Sequence, residues 1–153
     1  MTAPGVTRFR AARTSDLKLV LPLMAEYYAE DGYPFDESAA RAAATMLLAT
    51  PSLGCLWVAE IDEEVAGYMA VTFGFSLEYR GRDAFLDEIY IAERFRGRGL
   101  GREAMNLAES FCRHSGVRAL HLEVERHRNE ARELYRSRGF ESRSRELMTK
   151  RLD

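Results

Sequence analysis

Three observations predict a mixed α/β fold with a central, largely antiparallel sheet, in the element order β-αα-βββ-α-β-α-β. Apolar segments rich in β-formers recur between Leu56 and Ile91 with only short turns between them. A strand, a glycine-rich loop, a helix and a second strand follow one another directly from Ala84 to Val124, which is the pattern of one parallel pair. Helical periodicity frames these segments on both sides.

Each element has its own local reason. Val6 to Ala11 reads as a first strand, and Thr14, Ser15 and Asp16 supply N-cap side chains ahead of an apolar pattern at Leu17, Leu19, Val20, Leu23, Met24 and Tyr27. Asp31-Gly32-Tyr33-Pro34 ends that first helix, and Asp36 or Ser38 caps a second one running through Ala43, Met46 and Leu47 to Pro51. Leu56 to Ile61 and Val65 to Phe75 are strands joined through Asp62-Glu63-Glu64, a connection suited to an antiparallel hairpin. Ala84 to Ile91 is the next strand. After the loop, Leu100, Ala104, Leu107, Ala108 and Phe111 recur at helical spacing, Gly116 closes the helix, and Val117 to Val124 is a strand parallel to the previous one. Asn129 caps a last helix through Arg138, Gly139 ends it, and Phe140 to Lys150 is predicted as a final strand.

The 153 residues suffice for one domain spanning 1–153, and 46% hydrophobic with 30% charged residues is the balance of a soluble globular chain. No apolar run reaches the length of a membrane span, and residues 1–14 hold no apolar leader segment, so a cytoplasmic protein without membrane partners is expected. Cys55 and Cys112 lie far apart with no CxxC pair or metal-ligand spacing, so neither a disulfide framework nor a metal site is expected. A net charge of −2 gives no electrostatic case for nucleic acid. Charge is unevenly placed: Glu26, Glu30, Asp31, Asp36 and Glu37 fall in the early helices, whereas Arg94, Arg96, Arg98 and Arg102 crowd one stretch. Since Lys18 and Lys150 are the only lysines among 22 basic residues, arginine is the general choice of this chain.

Arg96-Gly97-Arg98-Gly99-Leu100-Gly101-Arg102 sits between a predicted strand and a predicted helix. Glycines there let the main chain approach an anion, the helix N-terminus adds partial positive charge, and the arginines add charge-assisted bonds to a diphosphate. The Walker pattern is not met because no Lys-Ser or Lys-Thr follows, and the dinucleotide fingerprint is not met because Gly97, Gly99 and Gly101 alternate. A plain turn joining strand to helix remains the alternative for the loop taken alone. Further on, Ala131, Leu134 and Tyr135 share a helix face ahead of Gly139-Phe140.

With these residues in place the chain resembles the GNAT superfamily of N-acetyltransferases. Their signature of Arg or Gln, two residues, Gly, one residue, and Gly or Ala is met by Arg96, Gly99 and Gly101. The later region Asn-x-x-Ala-x-x-Leu-Tyr-x-x-x-Gly-Phe is met by Asn129, Ala131, Leu134-Tyr135 and Gly139-Phe140, one residue tighter at its start. Phe85-Leu86-Asp87-Glu88-Ile89-Tyr90-Ile91 is similar to the strand of the spermidine/spermine acetyltransferase branch. The resemblance implies acetyl-CoA as cosubstrate, its pyrophosphate on the amides of Arg96 to Arg102 with Asn129 as a further contact. It also implies a pantetheine arm lying along Ile89, Tyr90 and Ile91 between two parallel strands that splay apart.

The chemistry needs a proton acceptor for the amine and a donor for the departing thiolate. Strict alternation places Asp87 on the face of Phe85, Ile89 and Ile91, and Glu88 with Leu86 and Tyr90. Two adjacent acids in an apolar strand are costly unless they border a wet cleft. Asp87, by analogy with the polyamine branch, and then Glu88 are the candidate bases; Glu123 on the neighbouring strand can act through water. A structural hydrogen bond is the alternative role for either acid. Tyr135 is the implied acid, with core packing as its alternative role. Cys112 carries no sign of an activated thiolate, which favours direct attack in a ternary complex over an acyl-cysteine. His114, His121 and His127 receive no role.

Transfer to a small-molecule primary amine is the leading expectation, protein N-termini or lysines the second, and a non-catalytic CoA-binding regulator the reading from another class. The early acids favour a cationic acceptor, or are solvated helix faces. Tyr27, Tyr28, Tyr33 and Phe35 form either a wall of the acceptor pocket or the contact of a homodimer.

Overall fold

The computed structural model describes residues 7–153. The chain divides into two compact units, one ending at Glu123 and the other running from Val124 to Asp153. The predicted start of the first strand at Val6 lies outside the described residues.

In the first unit β1 (Thr7–Ala11) is followed by a short 3₁₀ turn, α1 (Leu17–Glu30), α2 (Glu37–Ala49), β2 (Gly54–Ile61), β3 (Glu64–Ser76), β4 (Gly81–Ile91), α3 (Leu100–His114) and β5 (Ala119–Leu122). The strands lie side by side in chain order, antiparallel from β1 to β4 and parallel between β4 and β5. The mixed α/β class and the single parallel pair are therefore as the sequence predicts. Local chemistry explains most boundaries. Asp36 accepts a hydrogen bond from the Ala39 amide at 3.0 Å and caps α2. Asp62 and Glu63 both take positive φ, 49° and 67°, the conformation of a two-residue hairpin turn between β2 and β3. Past α3 the Gly116 amide donates to Arg113 O and the Val117 amide to Cys112 O, closing the helix with a Schellman motif.

Asp16 does not act as a forward cap. Its carboxylate turns back, accepting from the Arg13 amide at 2.6 Å and from both terminal nitrogens of Arg10 at 2.8 Å, while Arg10 Nε donates to Glu60 at 2.9 Å. The Arg10 guanidinium, ahead of the Arg13 amide, holds the buried Asp16 carboxyl below the usual carboxylate range against the opposing effect of burial. This bidentate pair fixes the start of α1 to β1 and β2.

The sheet is covered on both faces. Leu17, Val20 and Leu21 of α1 and Ala44 of α2 join Leu56, Val58, Ala66, Tyr68, Ala70 and Tyr90 in one core. On the opposite face α3 buries Ala104, Met105, Ala108 and Cys112, and its Phe111 stacks on Phe73 and meets Trp57 edge-on at 4.7 Å between ring centroids. Each fully buried Leu or Val contributes about 1.5–3 kcal/mol. Among the described residues no helix is long and apolar enough to cross a membrane.

The second unit holds α4 (Asn129–Ser137) and a C-terminal segment. The predicted final strand from Phe140 to Lys150 is not formed: these residues take no extended pairing, and all from Glu141 on are exposed. A strand needs a neighbour for its amides and a face to bury, and Glu141, Arg143, Arg145, Glu146 and Lys150 leave little apolar area for one. Asn129 is also not the cap it was expected to be; it is the first helical residue, behind Arg128.

Gly67 of β3 faces Ile91 of β4, and a Cβ at Gly67 would run into the Tyr90 carbonyl oxygen and lie 2.8 Å from Ile91 Cδ1. Gly67→Ala is expected to destabilise the fold by about 1–3 kcal/mol through this overpacking, read from the midpoint of urea unfolding.

Candidate active site

One irregularity in the ladder between β3 and β4 decides which way the two acids point. Ala70 pairs with Glu88 but Val71 pairs with Leu86, so Asp87 is the extra residue of a β-bulge with no partner on β3. Before the bulge Ala84 and Leu86 oppose Phe73 and Val71; after it Tyr90 and Glu88 oppose Tyr68 and Ala70. The phase of the alternation thus reverses. Glu88 and Tyr90 turn to the face covered by α1, and Glu88 does not share a face with Leu86 as uninterrupted alternation predicts. Phe85 and Ile89, expected together, are likewise on opposite faces.

On that face Glu88 meets two tyrosines. Tyr28 of α1 donates its hydroxyl to Glu88 Oε2 and Tyr68 of β3 donates to Oε1, each at 2.7 Å. Burial lifts the Glu88 carboxyl above the ordinary glutamate range, and the two hydroxyl donors and the nearby Asp87 charge modify that rise, the former downward and the latter upward. Tyr68 is fully buried and its own acidity is suppressed by that burial and by the Glu88 charge. The result is an oriented carboxylate that accepts a proton more readily than a solvated one. Asp87 is exposed at the bulge, and the protein around it raises its carboxyl above the ordinary range as well.

Tyr90 is buried and donates to Glu26 at 3.1 Å and to Glu30 at 3.3 Å, with its acidity pushed to about 12, first by burial and then by these carboxylates. Tyr27, Tyr28 and Phe35, three of the aromatic residues conspicuous in the sequence, are used inside the unit: Tyr27 packs on Tyr90, and Phe35 meets Tyr28 edge-on.

On its other edge β4 pairs with β5 only from Asp83 to Leu86, opposite Ala119 to Leu122. Beyond Leu86 no strand among the described residues pairs with that edge, so the main chain of Ile89, Tyr90 and Ile91 faces an opening in the sheet. The acids and the opening therefore occur on the same few residues of one strand. Beside it His121 of β5 bonds Asp83 at 3.1 Å between the rings of Tyr79 and Phe85, a placement its sequence context did not reveal.

The loop from Arg96 to Arg102 follows directly. Gly97 and Gly99 have φ of 76° and 82°, a left-handed backbone in which a side chain is strained. Gly99 precedes the first turn of α3, and Leu100, Gly101 and Arg102 belong to that turn. The first main-chain bond returning to the loop is from Glu103 to Gly99, and none of the amides from Gly97 to Arg102 donates to a main-chain carbonyl among the described residues. A run of undonated amides at a helix N-terminus is an anion-binding arrangement. The arginine side chains divide: Arg98 and Arg102 are exposed, whereas Arg96 bonds Ile91 O at 2.9 Å and Glu30 at 2.8 Å.

In the second unit Tyr135 stands in the last turn of α4. The Phe140 amide donates to Tyr135 O and the Gly139 amide to Arg136 O, which brings the Phe140 ring edge-on to Tyr135 at 5.9 Å between centroids. Burial raises the Tyr135 acidity constant above the ordinary phenol value, with a small opposing effect from Arg128, so the hydroxyl keeps its proton at neutral pH. Asn129 is exposed at the start of the same helix. Cys112 is buried, its thiol pushed up to about 11 chiefly by that burial, the opposite of an activated nucleophile.

The acetyltransferase (GNAT) family matches residues 20–140 of this chain. The uncharacterized N-acetyltransferase YhfO of Bacillus subtilis strain 168 is 26% identical over 132 residues, 86% of this chain and 88% of its own. An integron cassette protein from the mobile metagenome of Cole Harbour Salt Marsh superposes with a TM-score of 0.84 at 34% identity, over 95% of this chain and 90% of that one. A predicted acetyltransferase of Clostridium acetobutylicum, crystallised with acetyl-CoA, has a TM-score of 0.81 at 16% identity, covering 95% and 96% of the two chains, a likeness of fold. With the family matched over most of its length, and with an opened sheet leading into a glycine loop, this chain belongs to the GNAT family of acetyltransferases.

Proposed function

We propose that the protein transfers the acetyl group of acetyl-CoA to a primary amine by direct attack in a ternary complex, the acceptor being a small, cationic molecule. The observation that carries this reading is the continuity of three features along one stretch of chain: Glu88 held by two tyrosines, the unpaired edge of Ile89 to Ile91, and the undonated amides of Gly97 to Arg102. The pyrophosphate of the donor lies on those amides with Arg98 and Arg102 beside it, and the pantetheine arm adds to β4 as a strand would.

The acetyl carbonyl carbon is attacked by the neutral amine, and one main-chain N–H of β4 supports the developing oxyanion. The amine gives its proton to Glu88, directly or through water, with Asp87 as the alternative acceptor on the same strand. As the carbon–sulfur bond breaks, the sulfur takes the proton of Tyr135. Tyr28 and Tyr68 orient the Glu88 carboxylate. Glu26, Asp31, Asp36 and Glu37 give the side of α1 and α2 a negative field that draws an ammonium toward it. The similarity of β4 to the polyamine-acetylating branch points the same way.

Purified protein incubated with acetyl-CoA and a panel of amines and peptides is expected to release free thiol with a small di- or polyamine, and absence of release with every amine and peptide would sink the reading. Glu88→Gln is expected to lower kcat by about a hundredfold or more while Asp87→Asn keeps most of it; the reverse order makes Asp87 the base. Because the base works deprotonated, kcat/KM rises with pH through the raised Glu88 ionisation. Removing a hydroxyl that stabilises its charged form, in Tyr28→Phe, is expected to move this acidic limb to higher pH. Tyr135→Phe is expected to lower kcat far more than it raises KM for acetyl-CoA, measured at saturating amine.

A further inference from the structure

A loop that grips a ligand through its main chain must itself be held. Its glycines do not do this, since a Cβ at Gly97 or Gly99 would meet nothing within 4 Å. The flanks do. Phe95 and Leu100 are buried on either side and supply apolar anchors. Arg96 supplies a polar one: its Nε donates to Ile91 O at 2.9 Å, a terminal nitrogen donates to Glu30 Oε1 at 2.8 Å, and the guanidinium lies 5.4 Å from the centre of the Tyr90 ring. Glu30 also accepts from Tyr90 and is the last residue of α1, two positions after the tyrosine that donates to Glu88.

We infer that Arg96 is a positioning residue of the acyl-CoA loop rather than a phosphate ligand, that Glu30 is its tether, and that the end of α1 is thereby a common support for both halves of the site. Tyr28 holds the proton acceptor and Glu30 holds the donor grip. A planar guanidinium bonded at once to a carbonyl and a carboxylate has a fixed direction, and here that direction is toward α1. Both partners are partly exposed, at 42% and 32%, so the pair adds little to overall stability. Its effect falls on ligand affinity, because amides already in position do not have to be ordered when the diphosphate arrives.

This inference rests on the reading of the loop as the acyl-CoA grip, and a double-mutant cycle separates the two. Calorimetry with coenzyme A on the full chain compares the native protein with Glu30→Gln, Arg96→Gln and the double variant. Each single change is expected to weaken binding by about three- to tenfold, and the double change to be no worse than Arg96→Gln alone. In the acetyl-transfer assay Glu30→Gln raises KM for acetyl-CoA with kcat retained and leaves the acidic limb of the pH profile in place, unlike Tyr28→Phe. Glu30→Gln replaces one oxygen of a partly exposed side chain, so it decides the matter even if the arginine variants do not fold. Unchanged or tighter binding in Glu30→Gln overturns the tether, because an arginine freed from Glu30 is then serving the phosphates itself; additive losses in the cycle overturn it too. If the native protein binds no coenzyme A, the reading of the loop falls and takes the tether with it.

Discussion

The geometry of this protein turns on a single inserted residue. With Asp87 bulged out of the ladder, Glu88 and Tyr90 face α1; with a regular ladder they would face the other layer, where α3 packs with apolar side chains. A carboxylate there would be desolvated among Ala and Met residues without hydroxyl donors, at a cost of several kcal/mol or a lost charge. The bulge converts this into a carboxylate with two donors at 2.7 Å. It also falls just past Leu86, where β5 leaves β4, so the turn of the acids and the opening of the sheet are neighbouring consequences of one strand's path.

The role of α1 follows from this. Its beginning is tied to the outer strands through Asp16, Arg10 and Glu60, and its end meets β4 and the glycine loop through Tyr28, Glu26 and Glu30. Between these polar ends Leu17, Val20, Leu21 and Leu23 are buried against the sheet. The helix is therefore both a core element and the frame that orients Glu88, Tyr90 and Arg96. A change at its middle that shifts its packing by a fraction of an ångström is transmitted to hydrogen bonds at its end, because densely packed interiors do not absorb such shifts.

What could be read from the sequence was local. Asp36 as a cap, the hairpin at Asp62-Glu63, the helix stop at Gly116 and the glycines of the loop each depend on residues within a few positions of one another, and each is found. The parallel pair was legible because strand, loop, helix and strand follow without interruption. The bulge was not, since it is a property of two strands in register and leaves no mark in β4 alone beyond two adjacent acids. The partners of Glu88 lie 60 and 20 residues away, and although Tyr28 stood out as part of an aromatic segment, nothing nearby linked it to an acid. Arg96 is a similar case: its type fits a phosphate contact, and only the folded chain reveals that Glu30 occupies it. The strand expected after Phe140 did not form because Glu141, Arg143, Arg145, Glu146 and Lys150 leave it little apolar area to bury.

The short β4–β5 ladder leaves part of one β4 edge without a strand neighbour. From Asp87 to Ile91 one side of β4 has no paired strand among the described residues, although Ile91 O accepts from the Arg96 side chain, and unpaired strand edges are templates for extended segments. In the complex proposed above, the pantetheine arm occupies that edge as a counterfeit strand. On that reading the cosubstrate covers an exposed backbone edge as well as reacting beside it.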